Sequence, residues 1–187
     1  MAKNVNPGGQ PVWLQKAKSR AWVKRKVPIS SIPPLPLIIG TFFFTGLSPV
    51  ASGTVGSLAA VLLYYFIPGL QNNVVLLGVT VVVFFAGVWA SDVIERVLNE
   101  HDPGIIVADE AIGQWIALFS VSYAGDPVFA TFAFLGFRFF DIIKLYPASF
   151  IERKKGGFAV MGDDAVAGAY ANLTAHAATW LVRRYLM

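Results

Sequence analysis

From Val27 to Ser91 the chain carries no Asp, Glu, Lys, Arg or His. Apolar residues fill this stretch, and its punctuation comes from Pro, Gly, Ser, Thr and Asn with one Gln, Gln71. The pattern predicts a succession of apolar helices. Leu35 to Thr45 is too short to cross a bilayer at about 1.5 Å per residue, so it reads as a re-entrant or interfacial segment. Thr45 to Ser57, "TGLSPVASGTVGS", reads as a Gly/Ser/Pro-rich loop. Val55 to Leu70 is the next helix, closed by Pro68-Gly69, and Asn72-Asn73 is a turn. Val74 to Ser91 is the clearest spanning helix, and Asp92 to Asn99 continue it into water.

Polar residues return in short bursts. A loop from Glu100 to Ala108 contains "HDPG" and is followed by Asp109-Glu110 and the apolar run Ala111–Ala124. After a turn at Gly125-Asp126-Pro127, a helix from Val128 to about Phe150 carries Arg138, Asp141 and Lys144. "ERKKGGFAVMG" reads as a basic, Gly-rich loop, followed by Asp163-Asp164 and a last apolar run, Ala165–Val182. The fold class expected is all-α: a multihelical integral membrane bundle with a re-entrant or interfacial segment near its N-terminus. Residues 1–31 form a basic, mobile arm and 32–187 the membrane-embedded domain.

Composition agrees, with 56% apolar and only 14% charged residues in 187; a soluble domain is about a quarter charged. The net charge of +4 is local. Lys3, Lys16, Lys18, Arg20, Lys24, Arg25 and Lys26 precede the first apolar segment, with no acid among residues 1–26. The positive-inside rule then places the N-terminus in the cytoplasm, and the arm is suited to anionic lipid head groups. No second basic face with interleaved aromatics follows, which argues against nucleic acid as a partner. With that orientation, every unusual polar cluster falls on the cytoplasmic side, whereas Arg183-Arg184 falls outside. Several runs are shorter than about 20 residues, so length alone leaves the number of crossings open.

The two acidic pairs carry the candidate chemistry. Adjacent carboxylates repel, and burial near lipid adds to the cost. One reading is helix capping, with Asp109 and Asp163 as N-caps. The other is a divalent-cation site on Asp109, Glu110, Asp163 and Asp164, with Mg²⁺ as the hard cation such oxygens select. Arg138, Asp141 and Lys144 at i, i+3 and i+6 share one helix face, where the two cations suit a phosphate clamp. Gly53, Thr54, Gly56 and Ser57 suit close backbone approach to a phosphate, without the Lys of a P-loop. His101-Asp102 is either an acid with its orienter or a surface turn. The chain has no Cys, which removes thiolate chemistry. Its two isolated histidines do not make a His-nucleophile phosphatase. A small ion-binding or transport protein is the alternative from another class, since intramembrane acids also mark ion paths.

"GLSPVASGTVGSLAA" (Gly46–Ala60), "HDPGIIVADEAIGQW" (His101–Trp115), "FRFFDIIKLYP" (Phe137–Pro147) and "GGFAVMGDDAVAG" (Gly156–Gly168) resemble, in order and spacing, the phosphatidylglycerophosphatase A family. The resemblance covers roughly Gly40 to the C-terminus. It implies a multi-pass, Mg²⁺-dependent lipid phosphatase of the bacterial inner membrane, converting phosphatidylglycerophosphate to phosphatidylglycerol and phosphate in phospholipid biosynthesis. It maps the acidic signature onto Asp109, Glu110, Asp163 and Asp164, the Arg/Asp/Lys helix onto Arg138, Asp141 and Lys144, and the Gly-Thr-x-Gly-Ser loop onto Gly53, Thr54, Gly56 and Ser57; Thr54, Ser57, Arg138 and Lys144 are the candidates for holding the phosphate. Glu110, Asp164 and Asp141 are the candidates for catalysis, with His101 and Asp102 as possible additions. Another lipid phosphate as substrate is the alternative within the same chemistry.

Overall fold

Helix breakers and helix contacts together set the element boundaries. The computed structural model describes residues 27–120 and 122–185. The basic residues of the arm lie outside the described residues, and so do the expectations placed on them. Residues 32–187 form one compact unit; residues 27–31 belong to another and carry a 3₁₀ turn, Ile29–Ser31. The larger unit is helical, with no strand among the described residues: α1 (Pro34–Gly40), α2 (Ser52–Phe66), α3 (Asn73–Leu98), α4 (Ala108–Leu118), α5 (Pro127–Ile143), α6 (Ala148–Ile151) and α7 (Gly157–Tyr185).

α3 is, among the described residues, the one helix long and apolar enough to cross a membrane, with a mean hydropathy of 2.4 over its best window. Only 28% of that window is buried. A core helix of a soluble protein hides its apolar residues, but here Val74, Val82 and Phe85 face outward. Such a face is suited to lipid as its solvent. Asn72 caps the helix by accepting from the N–H groups of Val74 and Val75.

Residue pairings fix the helix directions. Ser57 meets Glu110 and Ala60 meets Trp115, so α2 and α4 run parallel. Asn172 meets Ala117, so α7 runs with them. α5 runs against α7, pairing Lys144 with Asp163 at one end and Asp126 with Arg183 at the other. α3 is also antiparallel to α7, with Asp92 at Gly157. The α4–α7 contact is a backbone approach: a Cβ on Gly168 would overlap the Gly113 carbonyl, and one on Gly113 would overlap the Phe137 ring.

Leu35–Thr45 forms a short helix and a tight turn. α1 packs against α3, and Phe42, Phe43 and Phe44 then reverse the chain with φ of 44°, 56° and 68°. Left-handed backbone costs L-residues about 1–2 kcal/mol each. Local bonds hold it: Thr41 Oγ1 accepts from the Phe44 N–H, and the Gly46 N–H returns to the Thr41 carbonyl. Phe42 is buried against the edge of Trp115, while Phe43 stays 66% exposed.

Three expected boundaries change. The Gly/Ser-rich stretch is helical from Ser52, so Gly53, Thr54, Gly56 and Ser57 sit in the first turns of α2. The helix carrying Arg138 stops at Ile143 because Pro147 cannot extend it; Lys144 takes a left-handed φ of 47°. The last helix starts at Gly157, six residues before Asp163, because Asp92 on α3 accepts the Gly157 N–H at 2.6 Å. Asp92 therefore has a packing role, beyond the solvated helix end that the sequence suggests.

α4 has only 11 residues, about 16 Å. The chain beyond it is bonded by side chains. Asn172 Nδ2 donates to the Ala117 and Phe119 carbonyls, Asn73 Nδ2 to that of Ser120, and the Ser120 hydroxyl meets His176 Nε2. Arg183, which the orientation placed awkwardly outside, pairs with Asp126 at 2.6 Å and lies over Tyr123.

Gly168→Ala is expected to push α4 from α7 and to destabilise by about 1–3 kcal/mol, the usual cost of overpacking. Gly78→Ala, with nothing within 4 Å of the new methyl, should be neutral or mildly stabilising. Thermal unfolding of the two variants in detergent checks the contrast.

Candidate active site

At one end of the bundle the first turns of α2 and α4, the second turn of α7, the end of α5 and the 102–107 loop enclose a cavity of about 150 Å³. Asp102, Asp109, Glu110, Asp141, Asp163, Asp164 and Lys144 line it, with Ser52 and Gly53. Carboxylates from four segments thus converge on one small space. Neither pair caps a helix: Val107 is the N-cap of α4, and Asp163 lies inside α7. Capping therefore does not account for them.

The acids divide into two groups. Glu110, Asp141 and Asp164 each present an oxygen within 4.8 Å of the other two. Arg138 binds this group: Nη1 donates to Glu110 Oε2 and, at 3.3 Å, to Ser57 Oγ, and Nη2 lies 3.2 Å from Asp141 Oδ2. The Ser57 hydroxyl reaches the Gly53 carbonyl at 2.9 Å and Glu110 Oε2 at 3.3 Å. Gly53 is required there, since a Cβ would overlap the Glu110 carboxylate. In the second group, Lys144 Nζ contacts Asp163 Oδ2 at 2.7 Å and Glu152 Oε1 at 3.0 Å. Burial acts to lower the Lys144 pKa, but the bonds and charges of Asp163 and Glu152, with the charge of Asp164, outweigh it and hold the ammonium above the usual lysine range. Asp109 is buried and accepts the Glu110 N–H at 3.0 Å.

The donor set fits a hard divalent cation. In an octahedron with bonds of 2.0–2.1 Å, adjacent ligand oxygens lie about 3 Å apart and opposite ones about 4.2 Å, so the three side chains would draw together to close on Mg²⁺. The lining offers six carboxylates against Lys144 and the adjoining Arg138. A phosphate monoester would bring further negative charge into this space, so its binding calls for a cation.

The remaining sequence candidates lie as follows. Thr54 is exposed and outside the cavity lining. His101 is exposed and bonds Glu95 Oε1 at 2.7 Å, and that same oxygen accepts the Asp102 N–H. Glu95, expected as a solvated helix end, thus orients His101, while Asp102 faces the cavity. Glu152 was not singled out by sequence, because its "ERKK" context reads as a charged loop. The grouping of Asp141 with Glu110 and Asp164 depends on the α5–α7 packing, which no spacing encodes.

Lys144→Met is expected to leave Asp163 without its cation and to lower stability by about 1–3 kcal/mol at pH 7. The sign follows from a raised folded pKa: the stabilisation is complete below the unfolded value of about 10.4 and is lost as pH rises through the folded value. Unfolding of wild type and variant from pH 7 to 11 should therefore show a constant gap that narrows only above about pH 10.4.

The phosphatidylglycerophosphatase A family profile matches residues 38–179. A Bacteroides thetaiotaomicron protein, provisionally named a phosphatidylinositol-3-phosphatase, is 38% identical over 156 residues, covering 79% of this chain and 96% of its own. The phosphatidylglycerophosphatase A of Escherichia coli is 38% identical over 136 residues, covering 70% of this chain and 76% of its own. That of Haemophilus influenzae is 35% identical over 145 residues, covering 76% and 87%. No solved structure matches the chain. The matched span contains both acidic pairs, Arg138, Asp141 and Lys144, and the chain belongs to the phosphatidylglycerophosphatase A family.

Proposed function

We propose that this phosphatase is a multi-pass protein of the bacterial inner membrane. In this reading it hydrolyses the terminal phosphate of phosphatidylglycerophosphate, with Mg²⁺ held by Glu110, Asp141 and Asp164, and so serves phospholipid biosynthesis. The observation that carries the reading is the convergence of those three carboxylates beside Arg138 at one end of the bundle, in a chain of this family. The acids lie at the mouth of the bundle, which suits a phosphate at the membrane surface. A transport path would want them deeper and related by a repeat.

Mg²⁺ bound at this cluster would supply charge neutralisation for the phosphoryl oxygens and a water of lowered pKa. The chain's own groups do the rest. Arg138 and Ser57 fix the Glu110 carboxylate. Lys144 holds Asp163 at the rim, where its ammonium favours an incoming phosphate. In the hydrolytic step the water oxygen bonds phosphorus, and the phosphorus–oxygen bond to the glycerol breaks. The glycerol oxygen leaves with the electron pair and takes up a proton, while Glu110 or Asp164 accepts the proton from the attacking water. Asp109, Asp163 and Asp102 complete the acidic wall. The basic residues of 1–26 favour a cytoplasmic N-terminus by the positive-inside rule and suit anionic head groups, in keeping with a site on the cytoplasmic side.

A second substrate reading has one observation in its favour, the Bacteroides relative named for an inositol lipid. The test is phosphate release by purified protein in mixed micelles containing phosphatidylglycerophosphate or phosphatidylinositol 3-phosphate, with Mg²⁺ or a chelator. The expected result is Mg²⁺-dependent turnover, faster on phosphatidylglycerophosphate, which Asp164→Asn reduces on the order of 100-fold or more, the scale of losing one charge-stabilising group. Preference for the inositol lipid would replace the substrate reading. Turnover that survives the chelator would remove the cation from it.

A further inference from the structure

One turn below Glu110 on α4 lies Gln114, which is 0% exposed. Neither its Oε1 nor its Nε2 meets a hydrogen-bonding partner among the described residues. On facing α5, the Arg138 Nε–H is also buried and without one, although the other two guanidinium nitrogens hold Glu110, Ser57 and Asp141. At 100° per residue Gln114 is about 40° round from Glu110, on the side away from Ile112, which packs with Met161 of α7 and with α3. Helical side chains lean toward the N-terminus, so helix geometry tilts the Gln114 side chain toward the turn that carries Glu110.

A buried primary amide with unmet donors and acceptor lowers stability, and Leu would fill much the same space without that penalty. A polar group kept at such a cost directly beneath a charged cluster is best accounted for by service to it. We propose that Gln114 is a positioning residue that fixes Glu110 and the Arg138 guanidinium, so that Glu110 converges with Asp141 and Asp164. Through one bridging water each, its Oε1 suits the Arg138 Nε–H and its Nε2 the Glu110 carboxylate. An apolar residue offers neither bond, and a Glu would add a like charge beside Glu110. The inference rests on the cluster being a divalent-cation site.

The test uses full-length protein in detergent, with Mn²⁺ as the probe. Mn²⁺ binding is followed by electron paramagnetic resonance and unfolding by temperature. Gln114→Leu, and Gln114→Met in case the branched side chain does not fit, are expected to unfold at or above the wild-type temperature. They should bind Mn²⁺ about 10- to 100-fold more weakly, the range seen when outer partners of metal ligands are lost. The kcat for phosphate release should fall more than KM rises. Wild-type Mn²⁺ affinity in both variants, or weaker binding only alongside a lower unfolding temperature, would overturn the proposal. Failure of the wild-type protein to bind Mn²⁺ would instead overturn the cation-site reading, and this inference with it.

Discussion

The backbone approach of α4 to α7 at Gly113 and Gly168 is the contact on which the site depends. Two helices packed through ordinary side chains lie about 8–10 Å apart. Glycine on both sides lets them come closer, and the parallel run then sets Glu110 level with Asp164. Phe137 of α5 closes over the same point, where the absence of a Cβ on Gly113 leaves room for its ring. That contact delivers Arg138, the next residue, to Glu110, and Asp141 one turn later to the cluster. The position of three acids and one cation thus follows from two residues that have no side chain.

Electrostatics works against this arrangement. Carboxylates gathered in a small cavity repel, and burial removes the water that would screen them. The structure divides the charge between Arg138, which answers Glu110 and Asp141, and Lys144, which answers Asp163 and Glu152. Asp109 and Asp164 have no such cation among their contacts described above. Apolar packing elsewhere carries the strain: Phe137, Ile112 and Met161 are fully buried close by. Local stability is given up at the site and recovered in the bundle beneath it.

Much of this was legible in the sequence. The uncharged stretch to Ser91 marked α3 to within a residue at its start, and the shortness of Leu35–Thr45 marked a segment too short to be a spanning helix. Both signals are local, one of hydropathy and one of length. The acidic motifs marked their residues because carboxylates are conspicuous in so apolar a chain. What was hidden depends on contacts distant in sequence. The start of α7 is set by Asp92, on another helix 65 residues earlier, so "GGFAVMG" looked like loop. Pro147 gave a warning that α5 would stop early, but not that Lys144 would turn back to Asp163. Gln114 carries one signal in the sequence, its place four residues after Glu110, and nothing local marks it out. His101 and Asp102 are neighbours in sequence, yet Glu95 bonds both and separates their roles.

The brevity of α4 has a consequence for how the protein is made. Its eleven residues, with acids second and third, reach about half the 30 Å or so of a bilayer core. The carbonyls at its far end depend on Asn172, and its acidic end is closed by Asp164 and by Arg138 of α5. All three partners are synthesised after it. When α4 is made, only α2 and α3 of its helix neighbours already exist for it to pack against. The acidic cluster needs residues of α5 and α7, so a chain that has not yet reached Asp164 holds no assembled cluster.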